Sequence, residues 1–168
     1  MTVRWGIAGL GNIAHRFASD LTLHCLHGHL HAVAAKDANR SKQFAAKYNG
    51  TQSYGSYLEL ANDPAVDAVY IATINPLHRQ VVELFLRHGK HVLVEKPAFT
   101  NVADWDAMIK LANDNNILLA EAMKSVVFPA YQQLRQFIID HHIEITAIEA
   151  AFGTANKYDK NSRLFNAN

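Results

Sequence analysis

Val3-Arg4-Trp5-Gly6-Ile7-Ala8-Gly9-Leu10-Gly11-Asn12-Ile13-Ala14 stands at the start of the chain, and its two halves follow different periodicities. Val3–Ala8 is a short run of mainly apolar and small residues, the composition of a strand buried on both faces. From Ile13 onward apolar residues return at Phe17 and Leu21, the spacing of one helix face. Between the two lies G-x-G-x-x-A, made of Gly9, Leu10, Gly11, Asn12, Ile13 and Ala14. Gly9 permits a tight turn, Gly11 lets backbone approach a pyrophosphate, and Ala14 keeps the helix close to the sheet with its N-terminus facing the anion. Strand, turn and helix together predict a dinucleotide-binding unit.

Working outward, further apolar runs at Ala32–Ala35, Ala68–Ala72, His91–Val94 and Ile117–Ala120 alternate with helical patterns, the signature of β-α-β units and a parallel sheet. Leu77, Val81, Leu84 and Phe85 share one helix face. Asn101 is placed to cap a helix with Val102, Trp105, Met108, Ile109 and Ala112 on one face, ended by Asn113–Asn116. Ser41–Tyr48 and Ser56–Ala61 read as shorter helices, and Asn62-Asp63-Pro64 as a turn. Pro129 opens a last helix carrying Tyr131, Leu134 and Ile138, and Ile143–Phe152 reads as one more strand. The expected fold class is α/β: a doubly wound parallel sheet of Rossmann type over residues 1–122. Residues 123–168 are expected to supply a linking helix and the first strand of a second, α+β domain.

Composition narrows the function. Of 168 residues, 49% are hydrophobic and 18% charged, ordinary values for a chain that folds. Sixteen basic against fifteen acidic residues leave a net charge of +1, which offers no positive field for nucleic acid or anionic lipid. Asn12, His15 and Arg16 break the opening apolar run too early for a signal or spanning segment, and the lone Cys25 fits a reducing compartment, so a cytoplasmic protein is expected. His24, His27, His29 and His31 crowd one segment, yet no HExxH or paired CxxC accompanies them, and they read as loop histidines leading into a strand rather than a metal site.

Three further segments carry chemistry, each after an apolar run and hence at the carboxyl edge of the sheet, where open α/β folds bind ligands. Ala34-Ala35-Lys36-Asp37 ends the second run. An acid at the strand's end would accept from the ribose of NAD, whereas Lys36 with Arg40 can contact the 2′-phosphate of NADP. NADP is favoured, and Asp37 keeps NAD open. Thr73-Ile74-Asn75-Pro76-Leu77-His78 offers short polar groups in a stiffened turn, and His78 either reaches ribose or substrate or faces solvent. Glu95-Lys96-Pro97 places a lysine where it can exchange a proton with a substrate hydroxyl, unless it pairs with Glu95 or is merely solvated.

At these residues the chain resembles the Gfo/Idh/MocA family of NAD(P)-dependent oxidoreductases. Arg4-Trp5-Gly6-Ile7-Ala8-Gly9, Tyr54-Gly55-Ser56-Tyr57, the Thr73–His78 segment and Glu95-Lys96-Pro97 follow the family pattern in order and spacing. Ala35-Lys36-Asp37 and Phe128-Pro129 resemble the subgroup of NADP-dependent diol and sugar dehydrogenases. The resemblance implies hydride transfer between nicotinamide and a carbinol carbon of a sugar, polyol or cyclic diol, with Lys96 acting at the substrate hydroxyl of a small-molecule partner; a homo-oligomer is expected from the unpaired apolar edge of a strand at Ile143–Phe152. It implies cofactor contacts from Gly9, Gly11, Asn12, Ile13, Ala14, Lys36, Arg40, Thr73, Asn75, Pro76, His78, Glu95 and Lys96. Where that subgroup carries an arginine before Phe-Pro, this chain has Met123-Lys124-Ser125-Val126-Val127, so substrate contacts there do not carry over. Arg163-Leu164-Phe165-Asn166 resembles the stretch preceding a glycine-rich segment of the family's second domain, which implies that only the start of that domain is present. A nucleotide-binding module without turnover is the alternative.

Overall fold

The computed structural model describes residues 2–151 and residue 153. Strands β1 (Val3–Ala8), β2 (Gly28–Ala34), β3 (Gln52–Tyr54), β4 (Ala68–Ile71), β5 (His91–Val94) and β6 (Leu119–Glu121) alternate with helices α1 (Asn12–His24), α2 (Ala38–Lys47), α3 (Tyr57–Asn62), α4 (His78–Arg87) and α5 (Val102–Asp114). Their order in the sheet is β3-β2-β1-β4-β5-β6, and every pairing is parallel. The sheet is doubly wound, because successive side chains of a strand point to opposite faces and both faces are apolar. Ile7, Val33 and Tyr70 face the cluster that includes Ala14, Ala18 and Leu21 of α1 and Phe44 of α2. Ala8, Ala34, Ile71 and Val94 face Leu60 of α3, Phe85 of α4 and Met108 of α5.

Local chemistry explains the helix starts. Asp37 caps α2, Asn101 caps α5, and Ser56 with Glu59 forms a reciprocal capping box on α3. At the opposite edge of the sheet, Arg4 in β1 grips Asp67 just before β4, with Nε at 3.0 Å and Nη2 at 2.6 Å from its carboxylate. Lys90, only 7% exposed, donates to the carbonyls of Asp63 and Val66 at 2.6 and 2.8 Å and ties the start of β5 to the end of α3.

Several expectations are corrected. β2 begins at Gly28, so His29 and His31 lie inside the strand, where His31 Nε2 meets Asp63 Oδ2 at 3.1 Å. β3 was not expected; at three residues, with Gln52 exposed, it is too short to display a period. Val102 is 73% exposed at the first position of α5, whose buried residues are Met108 and Ala112. No strand forms over residues 143–151, since a strand needs a ladder partner and none is paired there among the described residues. Phe152 and the Arg163–Asn166 stretch lie outside the described residues. The chain separates into two compact units, one ending at Ser125 and the other starting at Val126. The second contains α6 (Pro129–Asp140), opened by Pro129 and without a buried residue. Among the described residues no helix is long and apolar enough to cross a membrane.

Candidate functional site

The strand registers place the candidate segments side by side. Tyr54, Ala34, Ala8, Ile71, Val94 and Glu121 form one transverse row at the carboxyl ends of the six strands. Immediately beyond this row, in lateral order, come Ala35-Lys36 after β2, Gly9 after β1, Ala72-Thr73 after β4 and Glu95-Lys96 after β5. At a strand spacing of about 4.8 Å, the span from β2 to β5 is about 14 Å, enough for an extended dinucleotide laid along the edge. Between β1 and β4 the connections turn in opposite directions, which opens a crevice at the topological switch point.

The walls of that crevice are backbone. Gly9 has φ +88°, and a Cβ on it would stand 2.9 Å from the Ala72 carbonyl oxygen and 3.0 Å from Thr73 Cγ2, so only glycine lets the two loops approach. A Cβ on Gly11 would meet no atom within 4 Å; the space above this residue is open. Gly11 starts α1 without a side-chain cap, unlike the capped α2, α3 and α5, and Asn12 is exposed there. Ala14 is fully buried and Ile13 half-buried, which seats the helix on the sheet. Across the crevice, Thr73 Oγ1 is buried and has no hydrogen-bond partner. Open space over a glycine turn, uncapped helix N–H groups and an unpartnered hydroxyl in the neighbouring loop fit a ligand rich in hydrogen-bonding oxygens.

At the β2 end Lys36 is exposed, while Asp37 turns back on α2, its Oδ1 accepting from the Asn39 and Arg40 N–H groups at 2.9 and 3.2 Å. The Arg40 guanidinium donates to the Leu10 carbonyl and so stands beside the glycine turn. Lys36 also borders a cavity of about 410 Å³ lined by Tyr57, Leu77, Gln80, Glu83 and Arg87. That volume lies within the range of about 300–1,000 Å³ common for ligand pockets. None of those five lining residues was singled out as a site residue from sequence.

Asn75 and Pro76 are exposed in a short 3-10 turn, but His78 departs from expectation. It is fully buried, with Nδ1 at 3.0 and 3.1 Å from the Pro97 and Ala98 carbonyls and Nε2 at 3.2 Å from the Thr73 carbonyl. It is closed off from solvent, with both ring nitrogens against backbone carbonyls. Its place is to join the loop after β4 to the loop after β5.

The loop after β5 has two more anchors that sequence reading passed over. Glu121 Oε1 accepts from Ala98 N–H at 2.8 Å, and the Tyr70 hydroxyl donates to Glu95 Oε1. Burial, reinforced by that carboxylate, holds the Tyr70 phenol far above its ordinary pKa, so it stays a donor. The signal for both was a polar group inside an apolar run. Lys96 itself is exposed and makes no hydrogen bond or ion pair among the described residues. The same holds among the described residues for any gathering of three or more His, Cys, Asp or Glu side chains fit to hold a metal ion: there is none.

Residues 3–123 match the Gfo/Idh/MocA model, described as "Oxidoreductase family, NAD-binding Rossmann fold". Trans-1,2-dihydrobenzene-1,2-diol dehydrogenase of Xenopus tropicalis is 39% identical over 155 residues, 91% of this chain and 47% of that protein. The same enzyme of Mus musculus is 42% identical over 155 residues, with 91% and 46% covered. The chain thus spans about half the length of the curated relatives it matches. A 3-ketoreductase from Actinomadura kijaniata, crystallised with NADP and TDP-benzene, superposes with a TM-score of 0.76 at 28% identity, covering 84% of this chain and 43% of that one. Scyllo-inositol dehydrogenase from Lactobacillus casei, crystallised with NAD(H) and scyllo-inositol, gives 0.75 at 20% identity over 84% and 42%, a likeness of fold alone.

Proposed function

This chain belongs to the Gfo/Idh/MocA oxidoreductase family, and from that premise we propose that it is the dinucleotide-binding part of an NAD(P)-dependent oxidoreductase acting on a carbinol carbon of a sugar, polyol or cyclic diol, with NADP preferred. The observation that carries this reading is the crevice between β1 and β4, where open space lies over Gly11 at the uncapped start of α1 and the loop after β4 holds the unpartnered, buried Thr73 Oγ1. Gly9, Gly11, Asn12, Ile13 and Ala14 present backbone N–H groups to a pyrophosphate. Lys36 and Arg40 flank the position of a 2′-phosphate. Thr73, Asn75 and Pro76 line the middle of the groove, and Glu95 and Lys96 stand at its far end.

When bound, the cofactor supplies hydride transfer at its nicotinamide ring. The chain's own part is to orient the two reactants and, through Lys96 Nζ, to hold or move the proton of the substrate hydroxyl. The exposed thiol of Cys25 accords with a reducing, cytoplasmic setting. The reading includes a homo-oligomer, for which Leu134 and Phe137 of α6 offer exposed apolar surface.

Titration of the chain with NADPH, followed by nicotinamide fluorescence, tests the reading. Saturable binding is expected for the unaltered chain. Gly11→Val should abolish it while leaving cooperative unfolding intact, because the new side chain enters open space that no protein atom occupies. Undiminished affinity in that variant overturns the assignment of the crevice. Binding with no oxidation of any diol or sugar would instead favour a module without turnover.

A further inference from the structure

We propose that Tyr70 is a positioning residue, whose hydroxyl holds the Glu95 carboxylate away from the adjacent Lys96 and so leaves that ammonium available at the sheet edge. The significance of the free ammonium rests on the functional reading above; the contact itself does not.

The placement begins with β4, where Tyr70 pairs with Leu93 of β5 and precedes Ile71 of the transverse row. Its ring is 2% exposed and lies on the α1 face of the sheet. It stacks on Phe17 with centroids 4.0 Å apart and planes inclined by 15°, and Phe17 in turn meets Trp5 edge-on at 5.4 Å. Packing in this column sets the direction in which the ring presents its hydroxyl. A phenol in an apolar strand is costly unless its hydroxyl is satisfied, and the acceptor it reaches is Glu95 Oε1. The Glu95 backbone is fixed as well, its N–H donating to the Ile71 carbonyl at 3.0 Å. Backbone and side chain of Glu95 are therefore both tied to β4.

Charge makes this arrangement matter. Glu95 and Lys96 are neighbours of opposite sign near an exposed rim, where a carboxylate without another partner is free to approach the ammonium for a weak, solvent-screened attraction. They do not pair among the described residues, since the carboxylate is turned to Tyr70. The next residues are also pinned, Pro97 and Ala98 by His78 and Ala98 by Glu121, so Lys96 projects from a braced loop as the one side chain without a partner in the stretch from Glu95 to Lys96.

The test compares the unaltered chain with Tyr70→Phe, Glu95→Gln and the double variant. Phenylalanine keeps the stack on Phe17 and removes only the hydroxyl. Each protein is treated briefly with an amine-acylating N-hydroxysuccinimide ester, and the modification of Lys96 relative to Lys42 is read by peptide mass spectrometry. Tyr70→Phe should slow Lys96 acylation by about threefold, the scale of a solvent-exposed ion pair. Adding Glu95→Gln should restore it. Loosening of the fold would raise Lys96 reactivity rather than lower it, so a general structural effect has the opposite sign. Unchanged or faster acylation in Tyr70→Phe overturns the proposal, as does slowing that persists in the double variant. The same four proteins are titrated with NADPH. Failure of the unaltered chain to bind would remove the cofactor reading while the acylation ratio still decides the role of Tyr70.

Discussion

Lys36 and Asp37 are adjacent, carry opposite charges and do different work. Asp37 spends its Oδ1 on the first turn of α2, where two N–H groups and the helix dipole favour a carboxylate. Lys36 stays exposed at the mouth of the β2 end, and Arg40 leans on the glycine turn. The acid is thus drawn towards its helix, which leaves Lys36 available for the phosphate contact proposed above. Lys36→Ala should weaken NADPH binding by about 1–3 kcal/mol, the scale of hydrogen bonds to charged groups, and hardly affect NADH. Calorimetric titration with both cofactors checks this, and equal losses would exclude a 2′-phosphate contact at Lys36. The geometry of the glycine turn was readable from sequence because a positive φ and a close backbone approach at Gly9 admit only glycine. His78 was misjudged because a polar residue near a strand end invites a ligand. Its spacing from Val81, Val82 and Phe85 places it on the buried stripe of α4, and that periodicity was the better guide.

Elements with a strong period or a cap were legible: β1 and β5 have the expected bounds, and the Asn101 cap of α5 is present. Elements defined by partners were not. β3 exists because Ala32, Val33 and Ala34 offer it a ladder, while residues 143–151, richer in apolar side chains, form none. Tyr70 and Glu121 were likewise invisible as anchors, since their contacts join residues 25 and 23 positions apart. Pairing between elements also sets acid stability. The Arg4 guanidinium, by hydrogen bonding first and by charge second, holds the Asp67 carboxyl down to about 2, against burial that pushes it up. An unfolded aspartate titrates near about 3.9. The carboxyl is depressed in the folded state, so its contribution is complete above about 4 and is lost as the pH falls towards about 2. Asp67→Asn should flatten that part of the stability curve, measured by urea unfolding at pH 5, 4 and 3, with the difference from the unaltered chain narrowing as the pH drops. A difference constant across those pH values would show that the pair does not set the acid limb.

At the scale of the molecule, the two compact units differ in what supports their helices. In the first, α4 buries His78, Val81, Val82, Phe85 and Leu86 in a cluster that continues through Ile71 and Val94 of the sheet. Opening α4 exposes that apolar surface and breaks contacts on several elements at once, so its amides should exchange only through a large cooperative event. In the second unit, α6 has twelve residues and none is buried; Tyr131, Leu134 and Phe137 are 45%, 57% and 51% exposed. A helix of about 12–15 residues is marginal in water when tertiary packing does not support it. Pro129 at its start and the bond from Gln132 to the Val126 carbonyl order its first turn, yet local terms of this kind amount to about 1 kcal/mol. Native-state hydrogen exchange with mass spectrometry should therefore find peptides spanning residues 129–140 exchanging at least about a hundredfold faster than those spanning residues 78–87. The measurement belongs at low micromolar concentration and again at tenfold higher concentration, since association of copies through Leu134 and Phe137 would protect α6 in a concentration-dependent way and leave α4 unchanged. Equal protection of the two helices at both concentrations would mean that α6 is held by packing as strong as that of the first unit.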